Sequence, residues 1–217
     1  MPIELYYTPG SAPARSVLLA IKAIGVDVTL KELDLMKGEH LTPEFIKLNP
    51  QHTIPTLNDN GFALNESRAI LAYLSDKYAK DDSLYPKDPK KRAVVNQRLF
   101  FDIGTLYQRF SDCYYPVMFG GAPLDKEKQT KLDEALGFLD KYLEGSKFSA
   151  GDNITIADFT LAASISTIEA VGHSFSSHKN VTKYYANCKS SLKGYEEVNQ
   201  KGADKFKGMY QALTKKS

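Results

Sequence analysis

The hydrophobic rhythm of this chain changes part-way along it. Ile3 to Tyr7 reads as a short strand that runs into the turn Thr8-Pro9-Gly10. From about Pro13 to Ile24, Val17, Leu18, Ile21 and Ile24 fall along one side of a predicted helix, and Gly25 supplies its stop. Val28 to Leu33 reads as a second strand, and residues 37–48 as loop with a short helix. Thr56-Leu57 and Phe62-Ala63-Leu64 flank Asp59-Asn60-Gly61, a turn sequence that favours a hairpin. Ser67 then opens a helix carrying Ile70, Leu71, Leu74 and Tyr78. A βαβ unit, a hairpin and a helix in that order predict a compact α/β domain with a mixed sheet.

Beyond the polar, proline-bearing stretch Lys80 to Pro89, which reads as a linker, the rhythm becomes helical. Val95, Leu99, Ile103, Leu106 and Phe110 recur at spacings of three and four, as do Leu132, Leu136, Leu139 and Leu143. Thr155-Ile156-Ala157-Asp158 fits a capping box with a short acid in the third position, and opens a helix through Leu161, Ile165 and Ile168. Asn180 to about Leu192 and Asp204 to Leu213 carry two more predicted helices. The chain has no internal repeat and no low-complexity segment.

Composition narrows the partners. The 217 residues suffice for one large domain or two modest ones. Lys and Arg number 28 against 26 Asp and Glu, a net charge of +2 that does not point to nucleic acid. Cys113 and Cys188 are the two cysteines and form neither CxxC nor a zinc spacing. The start MPIELYYTPG has no basic stretch followed by a long apolar run, and no apolar segment reaches the about 18 residues of a membrane span. A cytoplasmic protein is therefore expected. Tryptophan is absent, so 13 Tyr and 11 Phe supply the bulky contacts of core and pockets.

Candidate chemistry gathers at helix starts. Ser11 sits where a strand turns into a helix, with free amides and the positive end of the helix dipole at hand. It reads either as an N-cap or as a donor to an anion such as a thiolate, and the two roles are compatible. Glu66-Ser67-Arg68 opens the helix after the hairpin. It reads either as a cap with surface charges or as a site matching the carboxylate and ammonium of an α-amino acid. His40 and His52 lie in polar loops, solvated or bound to a carboxylate, and Pro55 removes an amide where a strand begins. His173 and His178 complete the histidines without metal-ligand spacing. Tyr107, Phe110, Tyr114, Tyr115 and Phe119 crowd a short stretch near an expected helix break at Pro116, forming core, pocket wall or both. Asp102 stands in an apolar helix near Arg98 and Arg109, with burial and ion pairing expected. GxSxG, GxGxxG and the phosphate-binding P-loop are all missing. The junction where a dithiol protein places CxxC reads Ser11-Ala12-Pro13-Ala14, which disfavours disulfide exchange.

The segments YYTPGSAPARSV, LDLMKGEHLTPEFIKLNPQHTIPTL, DNGFALNESRAI, LYPKDPKKRAVVNQRLFFDIGTLYQRF and ITIADF, in that order, resemble the insect delta-class glutathione transferases along essentially the whole chain. The resemblance implies a thioredoxin-like α/β domain over 1–80, a linker over 81–89 and an all-helical domain over 90–217. It implies a homodimer that takes glutathione as co-substrate, with no prosthetic group or metal. The expected activity is conjugation of the glutathione thiolate to small hydrophobic electrophiles in detoxification, with dehydrochlorination as a possible second reaction. Ser11 falls on the class's catalytic serine. His40 and His52 match residues near the glycine end of glutathione. Ile54, before a family cis-proline at Pro55, offers its backbone to the cysteinyl portion. Glu66, Ser67 and Arg68 match the γ-glutamyl end, with Asp102 ordering that site near the dimer interface. Tyr107, Phe110, Tyr115, Phe119 and Phe206 resemble the hydrophobic wall, and Thr155 with Asp158 the structural capping box. Asn65 departs from the class, which commonly has tryptophan there. The main alternative is a carrier of hydrophobic ligands on the same fold, for which a donor at the sulfur position is superfluous. A protein-pairing module, an isomerase and a reductase are the others, the last disfavoured by the missing cysteine.

Overall fold

A computed structural model of the chain describes residues 3–215. Its first part is a mixed sheet flanked by helices. Strand β1 (Ile3–Tyr7) leads into α1 (Ala12–Ile24), which Gly25 ends in the left-handed conformation at φ 78°. Strand β2 (Val28–Glu32) follows, then two 3₁₀ turns and the short α2 (Pro43–Leu48). Strands β3 (Thr56–Asp59) and β4 (Phe62–Leu64) form the hairpin, and α3 (Ser67–Tyr78) completes the unit. The sheet order is β2-β1-β3-β4. β1 and β2 are parallel, with Ile3 opposite Val28, and the other pairs are antiparallel, with Tyr6 opposite Thr56 and Leu57 opposite Leu64. This is the expected thioredoxin-like arrangement, with an all-α part after it.

The helical part comprises α4 (Pro89–Phe101), a π-helical turn at Asp102–Leu106, α5 (Tyr107–Gly120), α6 (Lys126–Tyr142), α7 (Ile156–Ala170), α8 (Lys179–Ser191), a second π-turn at Tyr195–Gln200, and α9 (Lys201–Thr214). The expected break at Pro116 is absent: α5 runs through it to Gly120. A proline inside a helix costs about 3 kcal/mol. Cys113, Tyr114 and Met118 bury their side chains from the same helix, each large apolar group contributing roughly 1.5–3 kcal/mol, so packing outweighs the lost hydrogen bond. Pro116 itself is exposed, where its ring displaces no core contact.

Helix α7 is the central post, with every residue from Ile156 to Ile168 buried. A helix apolar all round belongs in the middle of a bundle. Thr160 and Ser166 satisfy their hydroxyls by folding back, Thr160 onto the Ala157 carbonyl at 3.0 Å and Ser166 onto that of Ala163 at 2.9 Å. Thr155 and Asp158 form the capping box at its start, the Thr155 N–H donating to Asp158 Oδ2 at 2.7 Å. Asp158 also accepts from the Ser149 N–H at 2.8 Å and the Tyr184 hydroxyl at 3.0 Å, which ties the preceding loop and α8 to α7. Burial pushes the Asp158 carboxyl above its usual range, against the pull of those hydrogen bonds.

Helix α1 joins the two parts, packing on α3 at one side and on α7 at the other. Helix α9 lies across the β1–α1 turn so closely that a methyl group at Gly202 would sit 2.4 Å from the Pro9 carbonyl oxygen. The apolar core is accordingly one continuous cluster, running from Leu5 and Val17 through Leu99 and Ile165 to Phe206. A cleft opens where α1, α5 and α9 converge.

Candidate functional site

Ser11 occupies the N-cap of α1 with an extended backbone, and its Oγ accepts from the Ala14 N–H at 3.3 Å. Accepting uses a lone pair and leaves the hydroxyl proton free to be donated. Pro13 in the first turn removes one amide that would otherwise need a partner. The capping and donor roles are thus compatible in one side chain. Ser11 opens onto a cleft of about 910 Å³.

Three loops of the sheet domain form one bank of that cleft: Thr8 to Pro13, Glu32 to Met36 with Glu39 and His40, and His52 to Ile54. Asn49, buried, shapes the third loop. Its Nδ2 donates to the Thr53 carbonyl at 3.0 Å and Thr56 Oγ1 at 2.9 Å, while its Oδ1 accepts from the Gln51 N–H at 3.0 Å. His52 takes φ 46° and the Ile54–Pro55 peptide is cis. The rings of His40 and His52 lie 6.2 Å apart, and His40 Nδ1 is buried without a protein partner.

The helical part supplies the opposite bank, with Tyr107, Tyr115 and Phe119 from α5, Thr167 from α7, and Lys205, Phe206 and Met209 from α9. The Tyr107 and Tyr115 hydroxyls meet at 2.6 Å. Burial pushes both phenols up, so at neutral pH they are uncharged. Phe119 is 63% exposed, a large apolar ring at the rim. Phe110 departs from the expected wall. It is fully buried behind the surface, against Tyr107, Tyr114, Tyr115 and Phe206, because it faces the core side of the same aromatic stripe.

Glu66, Ser67, Arg68 and Asp102 form a second group beside the cleft. Glu66 is exposed at φ 65°, a conformation that costs a non-glycine residue about 1–3 kcal/mol, at the N-terminus of α3. Arg68 Nη1 donates to Ser67 Oγ at 3.0 Å, and Nη2 pairs with Asp102 Oδ2. Asp102 also accepts from the Ser164 hydroxyl at 2.7 Å. The ion partner is therefore Arg68, not Arg98 or Arg109. Arg98 donates to the Ser149 carbonyl, and Arg109 pairs with Glu134. Local sequence could not show this, since α3 reaches Asp102 only through the tertiary fold. The Arg68 guanidinium also stands 5.9 Å from the centre of the Tyr107 ring, which links the two groups. Asn65 Nδ2 donates to Gln51 Oε1 at 2.8 Å, tying the segment before α3 to the His52 loop by a polar contact.

Leu33, Met36, Thr167, Lys205 and Met209 line the cleft without having been singled out from sequence. Met209 follows Phe206 by one helical turn, which was the available signal. Among the described residues no cluster of three or more His, Cys, Asp or Glu could hold a metal ion, and no helix is long and apolar enough to cross a membrane.

Residues 1–76 match the family model for the glutathione S-transferase N-terminal domain, and 89–191 that for its C-terminal domain. A Nilaparvata lugens delta-class glutathione transferase is 64% identical, covering 98% of this chain and 100% of that one, with a TM-score of 0.96. A Bombyx mori glutathione transferase is 49% identical over 96% of this chain and 98% of that one, at TM-score 0.93. An epsilon-class glutathione S-transferase from the housefly Musca domestica is 38% identical over 97% and 98%, at TM-score 0.92. The chain thus belongs to the glutathione S-transferase family, close to the insect delta and epsilon classes.

Proposed function

We propose that this protein is a delta-class glutathione transferase that holds glutathione as a thiolate and conjugates it to small hydrophobic electrophiles. The observation that carries the reading is the free Ser11 hydroxyl at the N-terminus of α1, at the edge of a cleft whose far bank is aromatic. The 64% identity to a delta-class enzyme, against 38% to an epsilon-class one, supports the class. Residues 1–80 bind glutathione, 81–89 link, and 90–217 contribute the apolar wall, a division consistent with the spans of the two family models. The protein acts as a cytoplasmic homodimer, with glutathione a co-substrate.

A free cysteine thiol has a pKa of about 8.5 and is mostly protonated at neutral pH. Ser11 donates to the sulfur and the positive helix end favours negative charge, so the bound thiol loses its proton to water. Serine is too weak a base to take that proton. The thiolate then attacks an electrophilic carbon, forming the C–S bond as the leaving group departs with its electron pair. In elimination it serves instead as the base for dehydrochlorination. His40 and His52 hold the glycine carboxylate, and Ile54 offers its backbone to the cysteinyl portion beside Pro55. Glu66 takes the ammonium, and Ser67 with the start of α3 takes the γ-glutamyl carboxylate. Arg68, pinned by Asp102, keeps that end ordered. Tyr107, Tyr115, Phe119 and Phe206 receive the electrophile, with Phe110 supporting them from behind.

The test is conjugate formation with a chloronitrobenzene alongside a glutathione titration. Saturable glutathione binding at millimolar concentration or tighter, with turnover, is expected. No saturable binding refutes the reading, and binding without conjugation of any electrophile tried favours a carrier of hydrophobic ligands.

A further inference from the structure

Arg15 is fully buried one helical turn after Ser11, and its surroundings are unusual for a cation. Nη1 donates to Ser166 Oγ at 2.7 Å, to Asn199 Oδ1 at 2.6 Å and to the Asn199 carbonyl at 3.2 Å. Nη2 donates to Thr167 Oγ1 and to the Ala163 carbonyl, and Nε is buried without a partner. Every acceptor is neutral. Of the acids on the elements packed around it, Glu169 is engaged with Tyr185 and Lys189, Glu197 with Lys22, Asp158 with Ser149, Thr155 and Tyr184, Asp204 with Gln200 and Asp102 with Arg68, while Glu196 is exposed to solvent. The other titratable groups facing it are the phenols of Tyr107, Tyr195, Tyr185 and Tyr115. Burial lowers the Arg15 guanidinium to about 10, which still leaves it a cation at neutral pH.

A buried charge without a counter-charge is costly, and an architectural anchor alone would be better served by a paired or apolar side chain. Its placement points to a different use. The Arg15 N–H donates to the Ser11 carbonyl at 2.9 Å, which sets both residues on consecutive turns of α1. Thr167, its hydrogen-bond partner, lines the cleft, as do Tyr107 and Tyr115. A methyl group at Gly202 would fall 2.3 Å from Arg15 Cδ, so the stem is clamped and the charge cannot swing out to water.

We propose that Arg15 is a positioning residue whose unpaired charge is balanced only when the cleft holds an anion, so that it stabilises the glutathione thiolate from beneath Ser11. The proposal rests on the transferase reading above. It is independent of the hydroxyl's direct hydrogen bond, because a charge acts across the low-dielectric interior without contact.

The test separates charge from architecture. Asn199→Asp places a carboxylate where Arg15 already bonds an amide oxygen, pairing the cation in nearly the same shape. The ultraviolet absorbance of the bound thiolate is titrated with pH for wild type and variant, and unfolding midpoints are measured beside it. The expected result is a thiolate fraction about tenfold lower on the acid side of the titration in Asn199→Asp, with an unfolding midpoint equal to or above the wild type. Arg15→Lys keeps a charge but loses the planar fork, and is expected to lower the midpoint while retaining most of the thiolate stabilisation. An unmoved titration in Asn199→Asp overturns the proposal. So does its failure to fold, which would mean that Arg15 is already compensated. A wild type that binds no glutathione overturns the transferase reading, and this one with it, whereas an unmoved titration over a working wild type sinks this proposal alone.

Discussion

Replacing Asp102 by asparagine tests how the second group serves the cleft. The side chain keeps its shape, and one oxygen still accepts from the Ser164 hydroxyl. The other oxygen becomes an NH₂ aimed at the Arg68 guanidinium, so a buried ion pair turns into a donor facing a donor. Breaking a fully buried pair costs about 3–5 kcal/mol, much of it from the stranded charge. Arg68 is 12% exposed and can turn part-way to water, so we expect roughly 2–3 kcal/mol of lost stability. Freed from Asp102, Arg68 also releases Ser67 Oγ, and the γ-glutamyl end loses order. The KM for glutathione should rise about tenfold or more with kcat changed by less than about threefold, because uniform binding is lost and Ser11 is untouched. Denaturant unfolding and steady-state kinetics with glutathione varied read both quantities. A fall in kcat at unchanged KM would refute the reasoning, as would a stability loss under about 0.5 kcal/mol.

Two further outcomes concern the frame. Asp158→Ala strands the buried N–H groups of Ser149 and Thr155 and the Tyr184 hydroxyl, at about 1–3 kcal/mol each, so denaturant unfolding should show a loss of at least about 3 kcal/mol; the folded fraction should keep its KM for glutathione. Burial would raise the Asp59 carboxyl, but hydrogen bonds from Lys77, Tyr73, Tyr78 and Asn60 more than offset it and hold it well below the usual carboxylate range. A depressed pKa contributes stability that is full above the unfolded value of about 3.9 and is lost as pH falls through the folded one. The unfolding midpoint of the wild type should therefore exceed that of Asp59→Asn at pH 7, and the two curves should start to draw together only below about pH 3.9 and meet as pH falls through the depressed folded value; parallel curves would contradict this.

Much of the frame could be read from local rules. The Asp59-Asn60-Gly61 turn placed the hairpin, Gly25 ended α1, and the three-residue spacing of Thr155 and Asp158 marked the start of α7. What sequence misjudged depended on long-range packing. Pro116 carries a helix-breaking side chain, yet the buried Cys113, Tyr114 and Met118 around it decide the outcome. Phe110 shares a helix stripe with Tyr107 and Tyr114, and periodicity does not say which ring of a stripe faces core and which faces cleft. Asp102 was expected to be buried and paired, but its partner comes from another element. Thr167 is one small residue in the apolar run of α7 that nothing local marks out, and only the approach of α1 and α9 brings it to the cleft. The site, like the core, depends on which elements meet.

Ser11 is assigned to stabilising a thiolate more than to binding glutathione. A hydrogen bond to a charged group contributes about 1.5–3 kcal/mol. The decisive measurement is turnover with a chloronitrobenzene and glutathione affinity, for wild type and Ser11→Ala side by side. Turnover lower by roughly ten- to a hundredfold is expected with glutathione affinity nearly intact, since a factor of ten corresponds to about 1.36 kcal/mol. Equal losses in both, or unchanged turnover, would contradict that role.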